Sequence, residues 1–197
     1  MTGGRLKTDL SGLLPPLASD VGLEDFMLCT SSSSTQPCFA FGDARGNDGL
    51  VLAAQTTMWI REHNRLAKLF EQYNPDWSDE RLFQEARKYS IAEWNAIIYY
   101  EYLPTILGDS CPGLYNYGGW RYYTDPRVTT EFDAVTFRFG HSALPKFIGL
   151  LTQNGTSFNR LDLVDSVLKL DHLTVGNISQ IINGAVHQAA QNIDIYA

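Results

Sequence analysis

The sequence predicts a mainly α fold, and three observations carry that expectation. The run LVLAAQTTMWIREHNRLAKLFEQY at 50–73 is free of Gly and Pro, and so is SDERLFQEARKYSIAEWNAIIYYEYL at 78–103. Both are far longer than an ordinary strand. The third observation is material for a core: 197 residues, 44% apolar and 12% aromatic, fit one domain or part of a larger one.

Taken in order, residues 1–49 are rich in Gly, Pro and Ser without a sustained period, and read as loop with short turns. The helical part begins at Leu50, where Leu52, Trp59, Leu66 and Phe70 recur near multiples of a turn. Ser78 then has the form of an N-cap, with Asp79 and Glu80 suited to the positive end of a second helix that runs to Pro104. Residues 105–124 are aromatic and turn-rich, an ordered loop packed on a larger body. Asp125 followed by Pro126 resembles an N-cap with proline at the first helical position, so a third helix is expected from there.

On that third helix Val128, Phe132, Val135 and Phe139 form one apolar stripe, and His141 falls away from it above Thr130, Ala134 and Phe137. Two small residues and a ring leave room for a flat ligand, yet the same face suits a neighbouring helix. On pattern alone a hydrogen-bonded structural histidine is the stronger reading.

Charge and motifs exclude several classes. Fifteen basic against 22 acidic residues give a net charge of −7 with no basic run, which argues against a grip on nucleic acid. No run approaches the roughly 18 apolar residues of a membrane span, and MTGGRLKTDLSG lacks the apolar core of a signal peptide. Among the cysteines, Cys29 and Cys38 flank the polar stretch TSSSSTQP, so a bridge between them is expected, with free thiols as the alternative and Cys111 left over. The sequons at Asn154 and Asn177 are compatible with secretion. His63, His172 and His187 show no metal-ligand spacing and read as structural or surface residues.

Four blocks decide what the pattern leaves open. PCFAFGDARGND at 37–48, REHNRLA at 61–67, ERLFQEARK at 80–88 with YYEYLPTILG at 99–108, and FRFGH at 137–141 occur in the order and spacing of the animal haem peroxidases. The chain resembles that family over essentially its whole length, which implies a central part of a longer, mainly helical domain that buries a haem. Residues 1–197 would then be a partial peroxidase domain, with 1–49 carrying the distal arginine and 50–197 the proximal histidine.

The resemblance implies roles residue by residue. His141 matches the proximal histidine that binds haem iron, and Arg138 the arginine that contacts a haem propionate. Arg45 matches the distal arginine, whose permanent cation suits charge developing on peroxide oxygen; from the residues alone it reads as a loop ion pair with Asp43 or Asp48. Asp48 stands where many members carry a glutamate esterified to the haem, and the shorter side chain reduces the reach for such a link. Gly49 stands where some members carry a haem-linking methionine, so no sulfonium link forms there. No histidine precedes Arg45. The distal histidine, which moves a proton between peroxide oxygens, and the family's calcium ligands are therefore expected upstream of this chain.

Two functions stand side by side at this point. In one, the chain is part of a haem b peroxidase of the extracellular space or secretory pathway, using hydrogen peroxide to oxidise small donors or halides. In the other it is a non-catalytic helical remnant or binding module derived from such an enzyme.

Overall fold

The computed structural model describes residues 2–16, 38–108, 118–155, 158–174 and 176–192. It resolves into two compact units, one of residues Met1–Leu6 with Glu62–Thr129 and one of Lys7–Arg61 with Thr130–Ala197. Among the described residues no helix is long and apolar enough to cross a membrane.

Helix α1 spans Leu50–Tyr73, the Gly- and Pro-free run read from the sequence. In its first half the buried positions are Leu50, Ala53, Ala54 and Thr57, whereas Leu52 is 42% exposed. The buried face is therefore one position away from the stripe of large residues. Alanines lie where backbones approach, and Leu52 is left turned toward a cavity described below.

In the first unit, the second half of α1 packs on α2 (Asp79–Ile97), with Leu66, Ala67 and Ala86 buried together and Phe70 against them. Ser78 caps α2 as its sequence predicts, its hydroxyl accepting from the Arg81 N–H at 3.3 Å. Beyond Ile97 the helix widens into a π turn over Ile98–Tyr102 before α3 (Leu103–Leu107). The Leu103 N–H donates to the Ile98 carbonyl. Pro104 follows without an N–H of its own, so the regular ladder could not have continued through it.

The same unit holds the N-terminal segment in place. Asn64 donates to the Leu6 carbonyl at 3.1 Å and accepts its N–H at 2.7 Å, as a neighbouring strand would. Buried His63 donates from Nε2 to the Gly4 carbonyl at 3.0 Å and packs at a tilt of 54° against the Phe83 ring, centroids 5.3 Å apart. His63 is thus a satisfied structural residue. Gly4 has φ +68°, and a Cβ there would lie 2.5 Å from the Phe83 nitrogen, so only glycine fits this crossing.

The second unit centres on Leu13, Leu14, Phe41, Leu50, Ile148 and Ile181. An antiparallel hairpin pairs β1 (Phe147–Leu151) with β2 (Phe158–Asp162), Gly149 opposite Arg160. Short α5 (Leu163–Ser166) follows, and α6 (Ile178–His187) closes on β1. The contact is very close: a Cβ on Gly184 would lie 1.7 Å from the Gly149 carbonyl oxygen.

The third helix differs from expectation. No helix starts at Pro126; α4 covers only Thr130–Ala134, and a 3-10 helix carries Thr136–Ala143. Asp125 is occupied by Arg127, accepting its backbone N–H at 3.0 Å and pairing with its guanidinium at 2.6 Å, an Asx turn that competes with a cap. Val128, Thr129 and Thr130 follow, β-branched residues that enter a helix poorly, and Val135 with Thr136 interrupts again.

Candidate functional site

Arg45 sits in a one-turn 3-10 helix, Ala44–Asn47, built by its own sequence. Asp43 caps the turn by accepting the Arg45 N–H at 2.9 Å. Buried Asn47 anchors it: the side-chain amide donates to the Phe39 carbonyl and accepts the Phe39 N–H, each at 3.0 Å. Gly46 is required beneath, since a Cβ would lie 2.3 Å from the Phe41 ring. After the turn the chain is tied again, the Leu168 N–H donating to the Asp48 carbonyl at 2.9 Å and Gly49 bridging to Val167.

The Arg45 guanidinium forks onto Asp43, Nε to Oδ1 at 3.0 Å and Nη2 to Oδ2 at 2.7 Å. Of the two ion-pair partners open in the sequence, Asp43 is the one taken. This hydrogen-bonded contact holds the Asp43 carboxyl down at about 2 from its ordinary 3.8 and raises Arg45. The side-chain bonds to Asp43 dominate the Arg45 shift, and the charge of Asp133 on α4 adds to it.

His141 lies near the end of the 3-10 helix, and its carbonyl accepts the Leu144 N–H at 3.2 Å. His141 is exposed, and among the described residues no hydrogen bond or ion pair reaches its ring. The expectation of a satisfied interior histidine, which the pattern alone favoured, fails for this residue while it holds for His63. Arg138 is likewise exposed, with no ion pair among the described residues, three positions before His141. The side chains Phe132, Val135, Phe137 and Phe139 around them are all exposed, so this segment presents apolar rings, an imidazole and a guanidinium together.

Two cavities connect these segments. One, of about 420 Å³, is walled by Arg45, Asp43, Phe41 and Thr56. The other, of about 490 Å³ and mostly apolar, is walled by Gly140, Ala143, Leu144 and Pro145 on one side and by Gly49 and Leu50 on another. Asp48 and Leu52 line both. The exposed Leu52 is explained here: it forms part of the partition. Asp48 is exposed beside it.

Two sequence expectations fall elsewhere. Cys38 is disulfide-bonded; Cys29, its expected partner, lies outside the described residues. Among the described residues no group of three or more His, Cys, Asp or Glu side chains is placed to hold a metal ion by itself. A haem is different, because it needs one axial side chain, cations for its propionates and an apolar slot. An imidazole and, three residues away, a guanidinium, both without side-chain partners among the described residues, with a mostly apolar cavity that reaches the neighbouring Gly140, fit that group.

Three residues that hold the site carry no role in the sequence reading above: Asn47, Gly184 and Gln188, of which Gln188 also lines the larger cavity. Gln188 carries no local signal, since its work is tertiary. The Asn47 contact is with Phe39, eight residues back, and only the turn-forming character of GDARGND hinted at it.

The scaffold is mainly α with one small antiparallel hairpin. Peroxidase A from Dictyostelium discoideum, a solved structure, superposes on 98% of this chain with a TM-score of 0.82 at 33% identity. A fatty acid alpha-dioxygenase from Oryza sativa shares the fold at a TM-score of 0.62 over 95% of this chain, with 16% identity and 34% of its own chain covered. Peroxinectin A of Dictyostelium discoideum is 34% identical over 199 residues, spanning 100% of this chain and 36% of its own length. The family model described as animal haem peroxidase matches residues 1–197. The chain belongs to the animal haem peroxidase family. It spans about a third of the length of these relatives, 37% in the case of peroxidase A.

Proposed function

We propose that this chain is the part of a haem-dependent peroxidase that supplies the proximal imidazole and the distal guanidinium. One observation carries the reading: the Arg45 cavity and the cavity beside His141 share Asp48 and Leu52 as a common wall. His141 would be the axial side chain and Arg138 the cation for a propionate. When bound, haem b would supply the redox chemistry by which hydrogen peroxide oxidises a small donor or a halide.

The residues do the rest. Arg45 has five N–H donors, of which the Asp43 fork takes two on the side chain, leaving others to meet negative charge on a peroxide oxygen. Because Asp43 fixes the guanidinium plane, those donors are oriented before the ligand arrives, which is where electrostatic stabilisation is effective. Asp48 presents a carboxylate at the partition, and a covalent link through it is left as a shorter-armed version of the glutamate ester. No histidine precedes Arg45, so the proton transfer of a distal histidine is assigned to none of these residues. The disulfide at Cys38 supports an oxidising, extracellular or secretory setting.

The test is peroxide-dependent oxidation of a phenolic donor by the haem-loaded protein, with Arg45→Ala beside wild type. Loss of one preorganised donor group of this kind lowers kcat about 10²–10³-fold. An unchanged kcat in Arg45→Ala removes the proposed role, and failure of the wild-type protein to take up haem leaves the non-catalytic remnant as the better description.

A further inference from the structure

We infer that Gln188 is a positioning residue for His141, a role that rests on the reading of His141 as the haem ligand. Its side chain stands at the end of α6 and closes the open edge of β1. Oε1 accepts the Gly149 N–H at 3.0 Å, and Nε2 donates to the Phe147 carbonyl at 2.8 Å. The other edge of β1 is taken by β2. One primary amide thus does for residues 147 and 149 what a third strand would do, satisfying a donor and an acceptor at once.

The clamp continues toward the histidine. Three residues after Gln188, the Gln191 N–H donates to the Ala143 carbonyl at 2.9 Å, two residues beyond His141. Between these anchor points Pro145 has no N–H to contribute, and the Lys146 carbonyl accepts the Leu163 N–H at 2.9 Å, so the Gln191 and Leu163 N–H groups together tie the segment leaving the 3-10 helix. Gln188, Ala189 and Ala190 also line the 490 Å³ cavity, together with Gly140 and Ala143. The tail after α6 is therefore both the tether of the His141 segment and a wall of the adjoining cavity.

Gly184 makes this reach possible. With no side chain at the crossing, α6 approaches Gly149 closely enough for a side chain one turn later to meet the β1 backbone. A plain structural role would end there, with stability as its sole effect. Positioning requires more: loosening the tail must alter how the imidazole is presented while the fold persists.

The experiment uses the full chain with three variants, Gln188→Ala, Gln188→Glu and His141→Ala. In the haem-free protein, amide hydrogen exchange at Gly149 reads the clamp: Gln188→Ala should lose protection there, and Gln188→Glu, which keeps an acceptor for that N–H, should retain it. In the ferrous haem protein, the iron–histidine stretching band reads His141. It should shift or broaden in Gln188→Ala, with haem dissociation about 10-fold faster, and lie between that and wild type in Gln188→Glu. Lost protection at Gly149 with an unchanged band and dissociation rate overturns the inference, leaving a clamp that only stabilises. A band that survives in His141→Ala overturns the ligand assignment instead, and the role of Gln188 with it. Should Gln188→Ala fail to fold, Gln188→Glu alone decides: an unshifted band there, with Phe147 facing a carboxylate in place of its donor, overturns the inference.

Discussion

Arg45 and Asp43 hold each other in a two-point fork, at 3.0 and 2.7 Å, on a turn that Asp43 also caps. The pair is exposed, so it adds little to folding stability. What it fixes is the direction of the guanidinium. Asp43→Asn should therefore leave the melting temperature close to wild type while lowering kcat for peroxide-dependent oxidation several-fold. Steady-state kinetics beside a thermal melt checks this, and a large loss of stability with normal kcat would reverse the assignment.

The same pair sets an acid limit. Asp43 titrates at about 2 in place of 3.8 because Arg45 favours its charged form, so its contribution is whole above the ordinary value and disappears as pH falls through about 2. Carbon-detected NMR of the Asp43 carboxyl should give a midpoint near 2, moving up toward 3.8 in Arg45→Ala. A midpoint already at 3.8 in wild type would mean that the fork does not persist in solution.

Gly184, the single glycine of α6, is tightly constrained. Alanine there places a methyl 1.7 Å from the Gly149 oxygen, and helix and hairpin must separate to admit it. Overpacking of this kind costs about 3 kcal/mol, at the upper end of its usual range. Gly176→Ala, where a Cβ meets nothing within 4 Å, serves as the control and should be near neutral. Urea unfolding of the two variants measures the difference.

Much of this architecture was legible in the sequence where the signal is local. Leu50–Tyr73 is helical over the run that lacks Gly and Pro, and Ser78 caps α2 because its hydroxyl and the following acids are adjacent in sequence. The expected helix from Pro126 was not: Asp125 found Arg127 two residues away, and the β-branched run at 128–130 did not hold a helix. Leu52, counted in the sequence only for its helical spacing, is cavity wall, since periodicity locates a face without saying whether packing or a site lies beneath it. The family blocks singled out His141, Arg138, Arg45 and Asp48 as candidates; Gln188 and Gly184 lie outside those blocks and act across 39 and 35 residues on β1, beyond any local pattern.

The most direct test of the account is haem binding by His141→Ala. Titration of the purified wild-type and variant proteins with haem b, followed by the Soret band and the electron paramagnetic resonance of the ferric state, reads axial ligation independently of turnover. Wild type should give a histidine-ligated spectrum that is lost in His141→Ala, with imidazole added in solution restoring it in part. A variant whose Soret band, resonance signals and haem affinity match wild type would contradict the claim that this chain presents its iron ligand at position 141.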